Sequence, residues 1–267
     1  MAKKIKIPYA VTMEEIGPTD AAEWLKKNDH NRPLSELLGD RFAASMSNGE
    51  WVECGDSIRF NCDGTLIDGQ HRLYAIIKSG VTLPMLVIRG LPKETFKYID
   101  DGKKRTNGDS LGAAGESNYN QLAAAIRWLG VINGRRSWKQ MAVSRKKLFD
   151  VLKSNPKLRD SATYILHVKA QTICSPGILT ACHYCFAKLD VALADKFMLD
   201  LGGGEGLKRT DPVYVLRERL RRSRSERETL PPDCVAAFVI KAWNATRKGE
   251  VIKKLVWQSE EPFPKVQ

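Results

Sequence analysis

The residues of this chain with the clearest capacity for chemistry are five consecutive ones, Asp68-Gly69-Gln70-His71-Arg72. They follow a short apolar stretch, residues 65–67, which is typical of a strand, and they lead into a helix predicted over residues 70–79. A turn from strand to helix presents backbone N–H groups at the positive end of the helix. An anion, most often phosphate, is the natural occupant of such a position.

Each residue type in this turn suits the binding of an anion. Gly69 allows a sharp turn or the close approach of a ligand, and Arg72 offers a fork of donors that matches phosphate oxygens. Asp68 lies beside the turn as an acceptor, a metal ligand or a base. We therefore predict that Gly69, Gln70, His71 and Arg72 bind phosphate or nucleotide, and that Asp68, His71 and Arg72 are catalytic. The alternative is a structural turn, in which Asp68 caps the helix and Arg72 pairs with a carboxylate.

The elements around this turn are a mixture of strands and helices. Residues 5–9 predict an edge strand, and residues 57–67 predict a hairpin that turns at Asn61-Cys62-Asp63-Gly64. Residues 83–89 predict a buried strand, whereas helical periodicity dominates from about residue 117 onwards. The sequence therefore predicts an α+β fold whose strands come first and whose C-terminal region is mostly α-helical.

The stretch from Gly64 to Ala75 resembles the signature of the ParB/sulfiredoxin-like superfamily, in the form of its DGQHR-motif subgroup. That subgroup occurs in phage, plasmid and DNA-modification-associated proteins. The flanking segments Asn31-Arg32-Pro33, Gly49-Glu50-Trp51 and residues 99–106 also resemble the family. The resemblance implies a phosphate- or nucleotide-binding domain of that fold over residues 1–112, followed by a helical domain over residues 117–267.

The motif also separates the branches of this superfamily. Sulfiredoxins carry a catalytic cysteine where this chain has Gln70, and a glutamine cannot form the covalent sulfur intermediate that repair of a sulfinic acid requires. Partitioning ParB proteins have Glu-Arg-Arg after the glycine and bind CTP, whereas related free-serine kinases carry Asp-Gly-His-His-Arg. The resemblance thus implies a nucleotide-binding protein that acts on or near DNA, by nucleoside-triphosphate hydrolysis or phosphoryl transfer, with ATP or CTP and Mg²⁺ as the expected cofactor.

A second phosphate-contacting segment is implied near residues 100–106, where ParB-like proteins place one. Lys104 and Arg105 are the candidates for a clamp on the phosphates, and Asp100 is a candidate magnesium ligand. A solvated charged turn is the alternative. Two other functions stay open at this point: a non-catalytic DNA-binding regulator, and a metal-dependent nuclease that would draw on Asp63, Asp68, Asp100 and Asp101.

The charge balance favours a polyanionic partner. The chain of 267 residues has 43 Lys and Arg against 31 Asp and Glu, a formal net charge of +12. An arginine-rich helix after Asp211-Pro212 places Arg217, Arg221 and Arg224 on one face, and we predict that these three bind DNA phosphates. The alternative is an exposed helix with Glu–Arg pairs along it. The oligomeric state stays open.

Six cysteines and the absence of export or membrane signals indicate a cytoplasmic chain with free thiols. The pair Cys182 and Cys185, with His183 between them, has the spacing of zinc ligands. These residues lie on the apolar side of a predicted helix, however, and no second pair of this kind follows. We therefore predict core packing here and no metal site.

Overall fold

A computed structural model describes residues 7–29, 31, 33–99, 106–134, 137–226 and 228–267 of the chain. Contacts within the chain divide it into two compact units, Met1–Lys104 and Arg105–Gln267. The first unit has the following elements: β1 Ala10–Ile16, α1 Pro18–Leu25, α2 Glu36–Ser47, β2 Ser57–Asn61, β3 Leu66–Asp68, α3 Gln70–Ser79, β4 Leu83–Leu91 and a 3₁₀ helix Lys93–Tyr98.

The four strands form one sheet in the order β1-β4-β2-β3. β1 runs antiparallel to β4, β4 parallel to β2, and β2 antiparallel to β3. The turn between β2 and β3 is closed by Asn61, whose side-chain oxygen accepts a hydrogen bond from the N–H of Thr65 at 2.8 Å. Gly64 in this turn has a φ of +85°, which is the left-handed region that glycine adopts at little cost.

The two faces of this sheet differ because side chains alternate along each strand. Ile58, Met85 and Val87 are fully buried, and they pack against residues of α1, α2 and α3 in one core. The register places Val11 opposite Ile88 and Met13 opposite Leu86, on the other face. We call these four residues the outer apolar patch; Val11 and Met13 are exposed, and Leu86 and Ile88 are partly exposed.

The elements of the second unit are all helices among its described residues. Its α-helices are α4 Asn107–Ala113, α5 Tyr119–Ile132, α6 Arg145–Ser154, α7 Leu158–His167, α8 Pro176–Ala187, α9 Val191–Gly203, α10 Pro212–Ser225 and α11 Pro232–Lys248. Trp243 of α11 stacks on Phe186 with ring centroids 4.3 Å apart, and Phe197 packs edge-on against it. All three side chains are buried, so this aromatic cluster anchors α8, α9 and α11 in one core.

The predicted mixture of α and β structure is confirmed, since 54% of the described residues are helical and 10% are in strands. The helix predicted over residues 70–79 and the hairpin of residues 57–67 are both present. The edge strand predicted at residues 5–9 is wrong for the part that is described, because residues 7–9 precede the strand and β1 begins only at Ala10. Residues 5 and 6 lie outside the described residues.

Candidate functional site at the start of α3

The predicted pentapeptide lies where β3 ends and α3 begins. Gly69 is the N-cap of α3 with φ +104° and ψ 1°, and its carbonyl accepts the N–H groups of Arg72 and Leu73. A Cβ atom at this position would lie 3.0 Å from Cγ1 of Ile58 and 3.2 Å from its Cα. Both the backbone conformation and the close approach to β2 therefore require glycine.

Asp68 uses both of its carboxylate oxygens inside this turn. Oδ1 accepts the N–H of Gly69 at 2.7 Å, and Oδ2 lies 3.2 Å from Nη2 of Arg72. Asp68 does not cap α3, since the helix has no side-chain cap. The structural-turn alternative had two parts. The pairing of Arg72 with a carboxylate is present, whereas the cap of α3 by Asp68 is not.

Arg72 is held between this carboxylate and the backbone of β2. Its Nη2 also donates to the carbonyl of Ser57 at 2.5 Å, and only 13% of its side chain is exposed. Its Nε is buried and has no hydrogen-bond partner among the described residues. A buried donor without an acceptor typically costs about 1–3 kcal/mol.

Arg59 is a member of this site that the sequence analysis did not single out. It lies opposite Asp68 in the β2–β3 pair, and its Nε is 3.8 Å from Oδ2 of Asp68. The same Nε donates to Oγ of Ser57 at 2.8 Å. Its outward position in the alternating segment 57–60, directly across the hairpin from Asp68, is the signal that could have identified it.

His71 and Gln70 have their side chains turned inward. Nε2 of His71 accepts the backbone N–H of Ser35, the N-cap of α2, at 3.0 Å. That bond requires an unprotonated Nε2, so His71 is neutral in this conformation. Oε1 of Gln70 accepts from Nδ2 of Asn28 at 2.9 Å. Both residues are buried, and these two hydrogen bonds join the start of α3 to the segments around α2.

The second predicted segment, apart from Thr106, and two of the four carboxylates of the nuclease alternative fall on residues that are not described. Lys104, Arg105, Asp100 and Asp101 lie outside the described residues. Asp63 pairs with Lys93 at 2.8 Å, and this contact lowers the pKa of the Asp63 carboxyl to about 2. The described residues contain no group of three or more side chains arranged to hold a metal ion.

The arginines of α10 are largely engaged by their own unit. Arg217 donates to the carbonyls of Leu201 and Gly202 at the end of α9, the latter at 2.8 Å. Arg224 donates to the carbonyl of Thr172. Arg221 lies 3.9 Å from Glu218 and is exposed. The three predicted DNA-binding residues therefore share a helix, but their guanidinium groups are directed to different neighbours.

The remaining arginines of α10 match the alternative of Glu–Arg pairs. Arg219 makes two hydrogen bonds to Glu228, at 2.7 and 2.8 Å, and Arg222 donates to Glu226 at 2.7 Å. Exposed pairs of this kind contribute about 0.2–1 kcal/mol each. Their main effect here is to fix the guanidinium groups that a nucleic acid would otherwise engage.

The cysteine and histidine residues of α8 pack within the helical unit. Cys182 is fully buried in the core, as its position on the apolar side predicts. His183 bonds through Nε2 to Asp195 at 2.8 Å and stacks on Tyr164. Burial lowers the pKa of the His183 ring.

Comparison of this chain with protein-family models, with curated proteins and with solved structures finds no match in any of the three. Within the described residues, no helix combines the length and the apolar character that crossing a membrane requires. The arrangement at the start of α3 is therefore read from its own geometry: two arginines, one carboxylate and a glycine turn at a helix N-terminus.

Proposed function

We propose that the unit formed by residues 1–104 binds a nucleotide, with its phosphates at the start of α3. The observation that carries this proposal is the convergence of Arg59 and Arg72 on one carboxylate oxygen of Asp68, beside the Gly69 turn. Two guanidinium groups and one carboxylate leave one positive charge in excess. The N-terminus of α3 adds a partial positive charge at the same place.

The fixed geometry of Arg72 supports phosphate as the ligand. The Asp68 carboxylate and the Ser57 carbonyl hold its guanidinium group in place. An arginine that is already ordered loses little conformational entropy when it binds, and its planar fork matches phosphate oxygens. Asp68 serves here as a positioning residue for Arg72 and Gly69.

The outer apolar patch supports a nucleotide over inorganic phosphate. Arg59 lies beside Ile88 in the parallel β2–β4 pair, and Ile88 lies opposite Val11. Neighbouring strands are about 4.8 Å apart, so this apolar surface begins one strand away from the arginine. A ligand with phosphates at Arg59 and Arg72 would place a flat base on these side chains.

The resemblance to the ParB/sulfiredoxin-like superfamily adds the reaction class. It favours ATP or CTP with Mg²⁺ as ligand, and hydrolysis or phosphoryl transfer as the chemistry. Arg72 would stabilise charge on the transferring group. A role of His71 in neutralising that charge would require the hydrogen bond from Ser35 to break. Lys104 and Arg105 stay predicted members of the phosphate clamp.

A thermal-shift screen tests this proposal. The full chain is heated with ATP, CTP, GTP, free nucleosides or inorganic phosphate, with and without Mg²⁺. A ligand that binds only the folded state, at a concentration of 100 times its Kd, stabilises that state by about 2.7 kcal/mol. We expect a nucleotide to raise the melting temperature, nucleosides to have little effect, and the variant Arg72→Gln to abolish the shift. An unchanged melting temperature with every nucleotide would refute the proposal.

A second candidate function is DNA binding by the helical unit, and the distribution of charge favours it. Residues 1–104 contain 15 Lys and Arg against 15 Asp and Glu, whereas residues 105–267 contain 28 against 16. The whole net charge of +12 therefore belongs to the second unit. Such an excess attracts a polyanion irrespective of sequence. This candidate is compatible with the first, because the two sites belong to different units.

A further inference from the structure

The helical unit contains a cleft that the proposed function does not use. It has a volume of about 390 Å³ and lies among residues of α5, α8, α10 and the start of α11. Clefts of roughly 300–1,000 Å³ are the usual size for small-molecule sites. Its walls are mostly apolar and are formed chiefly by Trp128, Ile173, Ile178, Leu220, Leu230 and Val235.

The polar side chains around this cleft leave one charge uncompensated. Glu228 lines the cleft, but its carboxylate accepts two hydrogen bonds from Arg219. The hydroxyl of Ser223 donates to the carbonyl of Glu228. Arg224 also lines the cleft, and among the described residues its guanidinium group makes a hydrogen bond only to the carbonyl of Thr172. A carbonyl carries no net charge, so Arg224, which is exposed, has no ion-pair partner among the described residues.

Two further features make the same wall of the cleft suitable for an anion. Ser175, the N-cap of the twelve-residue helix α8, lines the cleft, and its side chain makes no capping bond to the helix. The first N–H groups of a helix have no partner within it. The thiol of Cys174 lies in the same wall, where burial raises its pKa to about 12. It therefore stays protonated and contributes a compact, nearly apolar surface.

We propose that this cleft binds an amphipathic carboxylate, a small molecule with one carboxylate on an apolar chain or ring. The carboxylate pairs with Arg224 and Ser175 at one wall. The apolar part lies against Trp128, Leu220 and Val235. A cationic ligand is disfavoured, since the one carboxylate in the lining is already bound by Arg219. A purely apolar ligand leaves Arg224 unpaired.

The test uses the full chain and decanoate below its micellar concentration, with decanol and decylamine as ligands of the same chain length. Isothermal calorimetry and the fluorescence of the tryptophans report binding. We expect decanoate to bind, and decanol and decylamine to bind at least about tenfold more weakly, because a charge-assisted pair of this kind is typically that strong. Equal affinity for decanol, or no binding of decanoate up to millimolar concentration, would overturn the proposal.

Two substitutions on the same helix locate the site. Arg224→Gln removes the unpaired charge, whereas Arg221→Gln removes an exposed arginine of α10 that does not line the cleft. Arg224→Gln should weaken decanoate binding about tenfold or more, and Arg221→Gln should leave it unchanged. Equal effects of the two would place the binding elsewhere. Val235→Phe should also block the cleft. The comparison of Arg224→Gln with Arg221→Gln does not depend on whether Val235→Phe folds, because both arginines are exposed.

Discussion

The two units of this chain use arginine in opposite ways. In the first unit, which has no net charge, Arg59 and Arg72 converge on one carboxylate beside a glycine turn. In the second, which carries the entire excess of positive charge, the arginines of α10 are directed to separate partners. Tertiary packing, rather than the number of arginines along a helix, therefore decides which guanidinium groups converge on one point, and our proposal places the phosphates at the convergent pair.

The strongest test of the first unit's geometry is the glycine turn. Gly69→Ala should lower the free energy of unfolding by about 1–2 kcal/mol for its left-handed backbone, and further because Ile58 leaves no room for Cβ. Gly80→Ala at the other end of α3 is the matched control, since it has a φ of +72° and nothing within 4 Å. Chemical denaturation measures both. Equal losses would mean that the contact with Ile58 has no effect.

In the second unit, the structural role of Arg217 can be tested by substitution. It donates to two carbonyls at the C-terminus of α9, so Arg217→Ala should lower the free energy of unfolding by about 1.5–3 kcal/mol, the range for hydrogen bonds to charged groups. Arg221→Ala should change it by less than about 0.5 kcal/mol, as an exposed position does. Urea unfolding of the two variants decides between a structural arginine and a surface one.

The helical unit should also lose stability in acid because of His183. Burial lowers the pKa of this ring below its ordinary value of 6.5, so the unfolded chain takes up a proton more readily. The stability is therefore fully present above pH 6.5 and falls as the pH drops toward the lowered pKa, with a slope of at most about 1.4 kcal/mol per pH unit. His183→Gln should remove this part of the pH dependence. An identical acid limb in variant and wild type would assign it to other groups.

The smallest expected effect concerns DNA. If the exposed charge of the second unit meets duplex phosphates, binding should be independent of sequence and should weaken as salt rises. Arg221→Ala should reduce the slope of log affinity against log salt by roughly one unit for one lost contact. Arg217→Ala should leave that slope nearly unchanged, because the carbonyls of α9 already hold its guanidinium group. Filter binding over a range of salt concentrations measures both slopes. A slope that is reduced in Arg217→Ala and not in Arg221→Ala would mean that Arg217, and not Arg221, contacts the DNA phosphates.

The sequence predicts those parts of the fold that depend on local chemistry. The bounds of α3 follow from Gly69 and Gly80, and the hairpin follows from its Asn-Cys-Asp-Gly turn. The missed strand β1 has Glu14 and Glu15 in a short segment with weak alternation, and its pairing with distant β4 is what makes it a strand. Pairing between segments so far apart in the chain leaves little signal in a local pattern.

The site was predictable in its position but not in its contacts. The strand–turn–helix pattern places residues 68–72 correctly at the start of α3. Arg59 belongs to the site only because the register of β2 with β3 places it opposite Asp68. The hydrogen bonds of His71 and Gln70 depend on segments near α2. On α10, periodicity places three arginines on one face but does not reveal that Arg217 reaches the end of α9. Those contacts depend on tertiary packing.

The most direct test of the convergence of arginines is a calorimetric titration of the nucleotide that gives the largest thermal shift. Arg59→Gln removes a guanidinium group that is 36% exposed and can be replaced with little effect on the core. Arg41→Gln removes the same charge from an exposed position on α2. The account predicts that Arg59→Gln weakens nucleotide binding about tenfold or more while Arg41→Gln leaves it unchanged. Equal affinities of the two variants would contradict a phosphate site between Arg59 and Arg72.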